Sequence, residues 1–287
     1  MPELPEITAL AAFLTAHTAG RIVEQADVLS FPALKTADPP VAALSGRPVI
    51  GAARRGKLIV LDCDGLDLVF HLAKSGWLTW HAQVPAIPER RERGPLAARV
   101  RLDDGSGFDL TEEGDFKRLA VYVVAEPEQV PAISRLGPDA LDPPLDAATL
   151  ARLFGGRRAR LKNLLTNQQV IAGIGNAYSD EILHTARLSP YKTAATMAPD
   201  EFERLQAAIR SVLGEAVSQL TGRGPETLKD DKREGLRVHR RAGERCPVCG
   251  DVIREVSEAA SAFQYCPTCQ TGGELLPESR ASKSQKS

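Results

Sequence analysis

The chain has 287 residues, with 36 Lys and Arg against 37 Asp and Glu, and its formal net charge is −1. Hydrophobic residues make up 43% and charged residues 25%, values typical of a globular protein long enough for two domains. The sequence contains neither an apolar run of transmembrane length nor a secretory signal pattern, so we expect a cytoplasmic protein with no membrane partner.

The near-neutral net charge weighs against a nucleic-acid binder, but the charge is unevenly distributed. A basic stretch without acids runs from Arg157 to Lys162, and eight basic residues lie between Arg223 and Arg245 against five acids. The second half therefore carries local positive surface, although a charge run alone is often only a solvated face.

The first six residues, Met-Pro-Glu-Leu-Pro-Glu, place a proline and two carboxylates directly before a helical pattern. If Met1 is removed, Pro2 gains a free secondary amine, and an α-amino group titrates near pH 8, roughly two units below a lysine. Such an amine can attack a sugar carbon and form a Schiff base. Glu3 and Glu6 are close enough in sequence to act as proton donor and orienting carboxylate. The alternative is an ordinary helix start, because Pro and Glu are favoured in a first turn.

Residues 6–18 have apolar residues at helical spacing, and Gly20 ends the predicted helix. The pattern then changes to short strands without interleaved helices, which predicts an antiparallel sandwich. We expect these strands at 21–23, 48–50, 58–61, 68–70, 98–102 and 120–124. Asp64-Gly65 and Asp104-Gly105 predict hairpin turns, and residues 82–97 predict an irregular loop.

Lys57 follows Gly56 at the start of a predicted strand, so its side chain would project from a rigid edge. Without further context an ordinary exposed lysine explains this position better. Five prolines in residues 125–148 predict an interdomain linker.

The second half is predicted to be helical, at 148–154, 160–167, 176–186 and 199–220. Two glycines and Asn176 stand directly before the third helix, so backbone N–H groups at a positive helix end predict an anion site there. An ordinary N-cap with a close helix crossing is the alternative. Residues 221–236 are polar and predicted to be mobile.

Four of the five cysteines form two CxxC pairs, Cys246/Cys249 and Cys266/Cys269, separated by residues 250–265. This spacing predicts one structural Zn²⁺ held by four thiolates, with no open position for catalysis. Cys63 lies alone in an apolar strand and is expected to be buried.

Taken together, the terminal Pro-Glu-Leu-Pro-Glu, the Gly-Lys hairpin, the Ala-Gly-Ile-Gly-Asn loop and the four cysteines resemble the formamidopyrimidine-DNA glycosylase/endonuclease VIII family. The resemblance extends from residue 2 to about residue 270. Further matching stretches are 55–57, 71–76, 136–139 and 263–266.

The resemblance implies an α+β multidomain fold. An N-terminal antiparallel β-sandwich with its N-terminal helix would span residues 1–125, followed by the linker 126–148. A helix–two-turn–helix DNA-binding domain would span 149–236, a C-terminal zinc-finger β-hairpin 237–272 and a disordered tail 273–287. The partner would be damaged double-stranded DNA bound between the two halves of a monomer.

The implied activity is that of a bifunctional DNA glycosylase and AP lyase that excises oxidised bases, purines first. Pro2 would be the Schiff-base nucleophile, Glu3 the proton donor, Glu6 an orienting carboxylate, and Lys57 a catalytic and phosphate-holding residue. The implied DNA contacts are His71, Lys162, Gly175 and Asn176.

Three positions depart from the family pattern. Lys74 replaces a methionine that fills the void left by a flipped base, and only Phe116 or Arg118 could stand in for the other two wedge residues. Ser261 replaces a phosphate-gripping arginine. These departures keep two alternatives open, an oxidised-pyrimidine enzyme and a non-catalytic damage-binding protein. A zinc-ribbon regulator would leave the Pro2-Glu3 terminus unexplained.

Overall fold

The computed structural model describes residues 1–86, 94–114, 116–142, 145–258 and 261–277, without the side chains of Glu258 and Ser261. The chain divides into two compact units, one formed by Met1–Arg135 with Gln219–Asp231 and the other by Leu136–Ser218 with Lys232–Ser287. Within the described ranges, no helix is both long and apolar enough to cross a membrane.

The first unit contains helix α1 (Leu4–Thr18) and two four-stranded antiparallel sheets, ordered β1-β6-β7-β5 and β2-β3-β4-β8. The strands are β1 (Val23–Val28), β2 (Gly51–Arg55), β3 (Leu58–Asp62), β4 (Asp67–His71), β5 (Gly76–His81), β6 (Leu96–Leu102), β7 (Gly107–Glu112) and β8 (Ala120–Val124).

One apolar core joins the two sheets and α1. Phe70 of one sheet lies 6.0 Å from Phe108 of the other, ring centroid to ring centroid, and Leu10 and Leu14 of α1 enter the same cluster. The predicted β-sandwich with an N-terminal helix is therefore confirmed. Cys63 is buried in this core, as predicted.

Three strands were missed by the sequence prediction, namely β2, β5 and β7. β2 is an edge strand of small and basic residues with little burial, so it lacks an apolar pattern. Residues 48–50, predicted as a strand, form only an isolated bridge between Pro48 and Ile22. The predicted loop 82–97 falls partly on residues 87–93, outside the described residues, and its end belongs to β6.

The first part of the predicted linker packs on a sheet. Helix α2 (Pro131–Ser134) brings Ile133, together with Val130, against Leu58 and Val60 on the face of β3 that points away from the main core. Because β3 is covered on both sides, its sequence is a continuous apolar run rather than an alternating one.

The second unit contains helices, a β-hairpin and the cysteine pairs. Its elements are α3 (Ala147–Phe154), α4 (Leu161–Thr166), α5 (Asn176–Thr185), most of α6 (Pro199–Leu220), the end of α7 (Leu228–Gly235), β9 (Arg254–Glu258), β10 (Ser261–Tyr265) and α8 (Pro267–Thr271).

The segment 221–236, predicted to be mobile, is instead ordered. Leu228 and Leu236 are buried, Leu228 in the core of the first unit, and the Trp77 Nε1–H donates to the carbonyl of Pro225 at 2.9 Å. The Lys229 ammonium lies 4.6 Å from the Trp77 ring centroid. The prediction failed because two isolated leucines in a charged stretch carry no periodic signal.

Candidate functional site

The amino terminus of the chain is buried and held in place. Pro2 is buried and Glu3 is 2% exposed, while Met1 is exposed. The Glu3 N–H donates to Glu6 Oε2 at 2.7 Å, so the two carboxylates belong to one reciprocal helix start. These residues therefore begin the helix, as the alternative predicted, and Pro2 is buried directly before it, while its catalytic role stays a prediction.

Lys57 lies in the two-residue turn between β2 and β3, where Gly56 supplies the positive φ of 58°. Arg54 fastens this turn to α1, because its Nε–H donates to Thr8 Oγ1 at 3.0 Å and its Nη1–H to the Gly56 carbonyl at 3.2 Å. Lys57 is only 6% exposed. A buried ammonium held in a rigid turn is unlike the ordinary exposed lysine that the sequence alone favoured.

His71 ends β4 beside Lys57 and Glu112. Burial, and to a smaller extent the Lys57 ammonium, lower the pKa of the His71 imidazole to about 4 against the opposing charge of Glu112. His71 is therefore neutral at pH 7. It can donate a hydrogen bond to a phosphate, but it brings no charge of its own unless the phosphate raises its pKa.

Glu112 organises the loop that carries Phe116 and Arg118. Its buried carboxylate accepts the Arg118 N–H at 2.8 Å and the Leu119 N–H at 3.0 Å. Phe116 is 85% exposed, which is unusual for so large an apolar side chain, and Arg118 is exposed beside it.

Lys74 lies in the neighbouring turn between β4 and β5. The Glu113 N–H reaches the Ser75 carbonyl at 3.4 Å, which connects that turn to the Phe116 loop. Lys74 is exposed. The structure therefore brings Lys74, Phe116 and Arg118 onto adjoining turns, while their contacts with DNA stay predictions.

In the second unit, the loop 170–176 before α5 is clamped by Gln168. The Gln168 amide donates to the Ile174 carbonyl at 2.8 Å, and its oxygen accepts the Gly173 N–H at 2.9 Å. Gly137 packs on the same loop so closely that a Cβ there would lie 2.7 Å from the Val170 carbonyl oxygen. These contacts fix Gly175 and Asn176 at the first turn of α5, where the helix dipole favours an anion.

Lys162, for which the resemblance implies a phosphate contact, is only 2% exposed. Its ammonium pairs with Asp180, donates to the Ala262 carbonyl at 3.3 Å and lies 4.7 Å from the Phe263 ring centroid. Lys162 therefore connects α4, α5 and β10, and its role toward DNA stays a prediction.

The four cysteines converge in the second unit. The Sγ atoms of Cys246 and Cys269 are 3.9 Å apart, and those of Cys249 and Cys266 are 3.3 Å apart. Asp251, which follows the first pair, connects it to the second, because its carboxylate accepts from the hydroxyl of Thr268 between Cys266 and Cys269. The same carboxylate also accepts from the Val252 N–H. This donor set fits one structural Zn²⁺, as predicted.

Burial raises the pKa of the Cys266 thiol to about 11, so its thiolate depends on a nearby cation at neutral pH. His184 was not predicted, yet its Nε2 lies 3.3 Å from Cys246 Sγ. Because this histidine is more than sixty positions from the nearest cysteine, no local spacing could have revealed it. The side chain of Ser261 lies outside the described residues.

Two further acidic residues were also missed. Glu181, buried in α5, accepts the N–H groups of Arg237, Val238 and His239 at 2.8–2.9 Å, and Asp180 accepts from His239 Nδ1 at 2.7 Å. The Asp-Glu pair in an otherwise buried helix was the available signal.

Comparison with known proteins gives three family matches along the chain. Residues 1–119 match the formamidopyrimidine-DNA glycosylase N-terminal domain, residues 136–225 the formamidopyrimidine-DNA glycosylase H2TH domain, and residues 243–272 the zinc finger found in FPG and IleRS. The sandwich, the helical unit and the cysteine hairpin thus define a zinc-containing, DNA-binding repair enzyme of the glycosylase class.

The chain belongs to the formamidopyrimidine-DNA glycosylase family. It is 34% identical over 277 residues to a formamidopyrimidine-DNA glycosylase of Symbiobacterium thermophilum, covering 94% of this chain and 89% of the relative. It is 55% identical over 148 residues to an uncharacterized formamidopyrimidine-DNA glycosylase-like protein of Mycobacterium tuberculosis, covering 52% of this chain and 92% of that protein.

Solved structures share the fold. The MutM (Fpg) protein of Thermus thermophilus superposes with a TM-score of 0.80 at 27% identity, covering 96% of this chain and all of that one. Lactococcus lactis Fpg in complex with DNA containing an N7-benzyl-Fapy-dG superposes with a TM-score of 0.82 at 22% identity, covering 94% and 100%. This second likeness supports the fold alone.

Proposed function

We propose that this formamidopyrimidine-DNA glycosylase-like enzyme excises oxidised bases, with oxidised purines as its main substrates. It does so through a Schiff base on Pro2 and then nicks the strand by β-elimination. The observation that carries this is the burial of three residues that the reaction needs, Pro2, Glu3 and Lys57, with the turn of Lys57 held to α1 by Arg54. Burying ionisable groups is costly, and buried ionisable side chains are typical of a reacting centre.

The first bond change occurs at the sugar. Once Met1 is removed, the lone pair of the Pro2 nitrogen attacks C1′ of the damaged nucleotide. Glu3 supplies a proton as the sugar ring opens, and the base departs with the electrons of its glycosidic bond. Glu6 holds the Glu3 backbone N–H and so fixes the geometry of this turn.

Strand cleavage follows from the iminium ion. The positively charged nitrogen accepts electrons when a proton is lost from C2′, and the 3′ phosphate leaves in β-elimination. Lys57, which lies in the turn between β2 and β3, would stabilise this phosphate.

DNA binding would involve residues of both units. A target base must leave the stack before the amine can reach its sugar, and Phe116, Lys74 and Arg118 are the groups proposed to support the gap. The helix end at Gly175 and Asn176 would hold a phosphate. We further propose that the protein acts as a monomer and that it resides in the cytoplasm.

The test is borohydride trapping on duplexes that contain either an abasic site or 8-oxoguanine. The wild-type protein should give a covalent adduct, and Pro2→Gly combined with Glu3→Gln should abolish it. Equal trapping by the double variant would overturn the proposal.

A second candidate is non-catalytic binding of damaged DNA, which the replacements at Lys74 and Ser261 favour. It predicts tight binding to abasic DNA without strand cleavage. The protein used for this test must have a mass that confirms the absence of Met1. A panel that includes oxidised pyrimidines decides whether those lesions are preferred over oxidised purines.

A further inference from the structure

The zinc centre has five candidate donors for an ion that takes four. A ring nitrogen of His184 and the Sγ atoms of Cys246, Cys266 and Cys269 all lie within 4.8 Å of one another. Cys249 is exposed, but its Sγ contacts Cys266 Sγ at 3.3 Å. Either His184 replaces Cys249 as a ligand, or all four cysteines bind the metal and His184 has a different role.

The second ring nitrogen of His184 distinguishes these roles. Coordination through Nε2 would require the ring proton to sit on Nδ1. His184 is 3% exposed, and its Nδ1 has no hydrogen-bond partner among the described residues. Metal-bound histidines almost always donate their other N–H, and an unpaired buried donor is expensive. With the proton on Nε2 instead, Nδ1 is a bare acceptor, and the Nε2–Sγ distance of 3.3 Å is that of an N–H···S contact.

We infer that His184 donates its Nε2–H to the Cys246 sulfur, leaving the four cysteines as the zinc ligands. Zn²⁺ with four thiolates has a net charge of −2, and Cys246 is buried where water cannot stabilise that charge. A charge-assisted hydrogen bond from His184 offsets part of it. His184 is therefore a positioning residue that acts through Cys246.

This contact gives α5 a second function. The helix begins at the Gly175–Asn176 turn and, with ten residues, is about 15 Å long. In its middle, Asp180 and Glu181 bind residues 237–239, and in its last turn His184 touches the zinc-binding sulfur. Zinc binding should therefore stabilise the helix whose first turn is the candidate phosphate site.

Three variants, one affinity measurement and two spectroscopic measurements test it. His184→Gln can still offer an N–H near the position of Nε2, whereas His184→Leu cannot. Cys249→Ser removes the one cysteine that His184 would replace. Zinc affinity is measured by competition with a chromophoric chelator, and the ligand set by X-ray absorption of the zinc protein and by the charge-transfer bands of its Co²⁺ form.

We expect four sulfur ligands in the wild type and in both His184 variants. His184→Gln should bind zinc nearly as tightly as wild type, and His184→Leu should bind it about 10-fold more weakly or worse, as for the loss of other outer-shell partners. Cys249→Ser should lose one sulfur ligand and bind zinc far more weakly.

Three sulfurs and one nitrogen in the wild-type spectrum, which needs no folded variant, would overturn the inference. So would unchanged zinc affinity in either His184→Leu or Cys249→Ser.

Discussion

The loop that presents Phe116 depends on a single buried carboxylate, so Glu112 is the residue whose change should separate DNA engagement from folding. Its two oxygens accept the N–H groups of Arg118 and Leu119. Hydrogen bonds to a charged group contribute about 1.5–3 kcal/mol each, so Glu112→Ala should cost about 3–6 kcal/mol. Glu112→Gln keeps one oxygen acceptor and should lose about half of that.

The expected effect on binding follows from this magnitude. In Glu112→Gln the loop must be ordered again when DNA binds. If this ordering costs about 2 kcal/mol of the binding free energy, the Kd for an abasic-site duplex rises about 30-fold. Fluorescence anisotropy measures the Kd, and single-turnover cleavage measures the step after binding.

Glu113→Gln is the matched control, because Glu113 is the exposed neighbouring carboxylate. It should bind within about twofold of wild type, as surface substitutions away from such contacts have small effects. Equal affinity of wild type, Glu112→Gln and Glu113→Gln would refute the reasoning that the carboxylate presents the loop to DNA.

Three further predictions follow. Gly137→Ala should destabilise the protein by about 1–3 kcal/mol and weaken DNA binding, because its Cβ would meet the loop before α5. The control Gly214→Ala adds a Cβ in open space within α6 and should stabilise the protein by about 0.5–1 kcal/mol. Urea unfolding of both variants measures this, and a Gly137→Ala protein as stable as wild type would contradict the close packing. The His71 pKa of about 4 lies below its usual 6.5, so the unfolded chain binds a proton before the folded protein does as the pH is lowered. The free energy of unfolding should therefore fall by up to about 3 kcal/mol as the pH is lowered from 6.5 to 4, and His71→Gln should reduce this pH dependence. An NMR titration midpoint of His71 near 6.5 would refute the prediction. Chelation of zinc should increase hydrogen exchange around the cysteines and abolish DNA binding, and full affinity after complete chelation would contradict the role of the finger.

The sequence was most informative where a local pattern carries the chemistry. The CxxC spacing predicted the cysteine cluster, and the helical periodicity of 199–220 predicted α6 with both of its ends. Asp64 and Gly65 both have positive φ in the hairpin turn predicted for them. Each of these features is decided by neighbours within a few residues, so it is visible without the fold.

Features that depend on distant residues were missed. β2 is held at the sheet edge by Thr15, whose hydroxyl accepts the Ala52 N–H at 2.8 Å, rather than by apolar residues of its own. Lys162 ends a basic stretch whose sequence is typical of a solvated surface. It is nevertheless buried, because it forms an ion pair with Asp180 of another helix. Since the burial of a charge depends on its partner, no pattern around Lys162 could predict it.

The location of the covalent bond to DNA tests the central proposal most directly. After borohydride trapping on an abasic-site duplex, digestion and mass spectrometry should find the sugar remnant on a peptide that begins at Pro2, with Met1 absent. A remnant on Lys57 or Lys74, or an adduct that forms while Met1 is still attached, would contradict it.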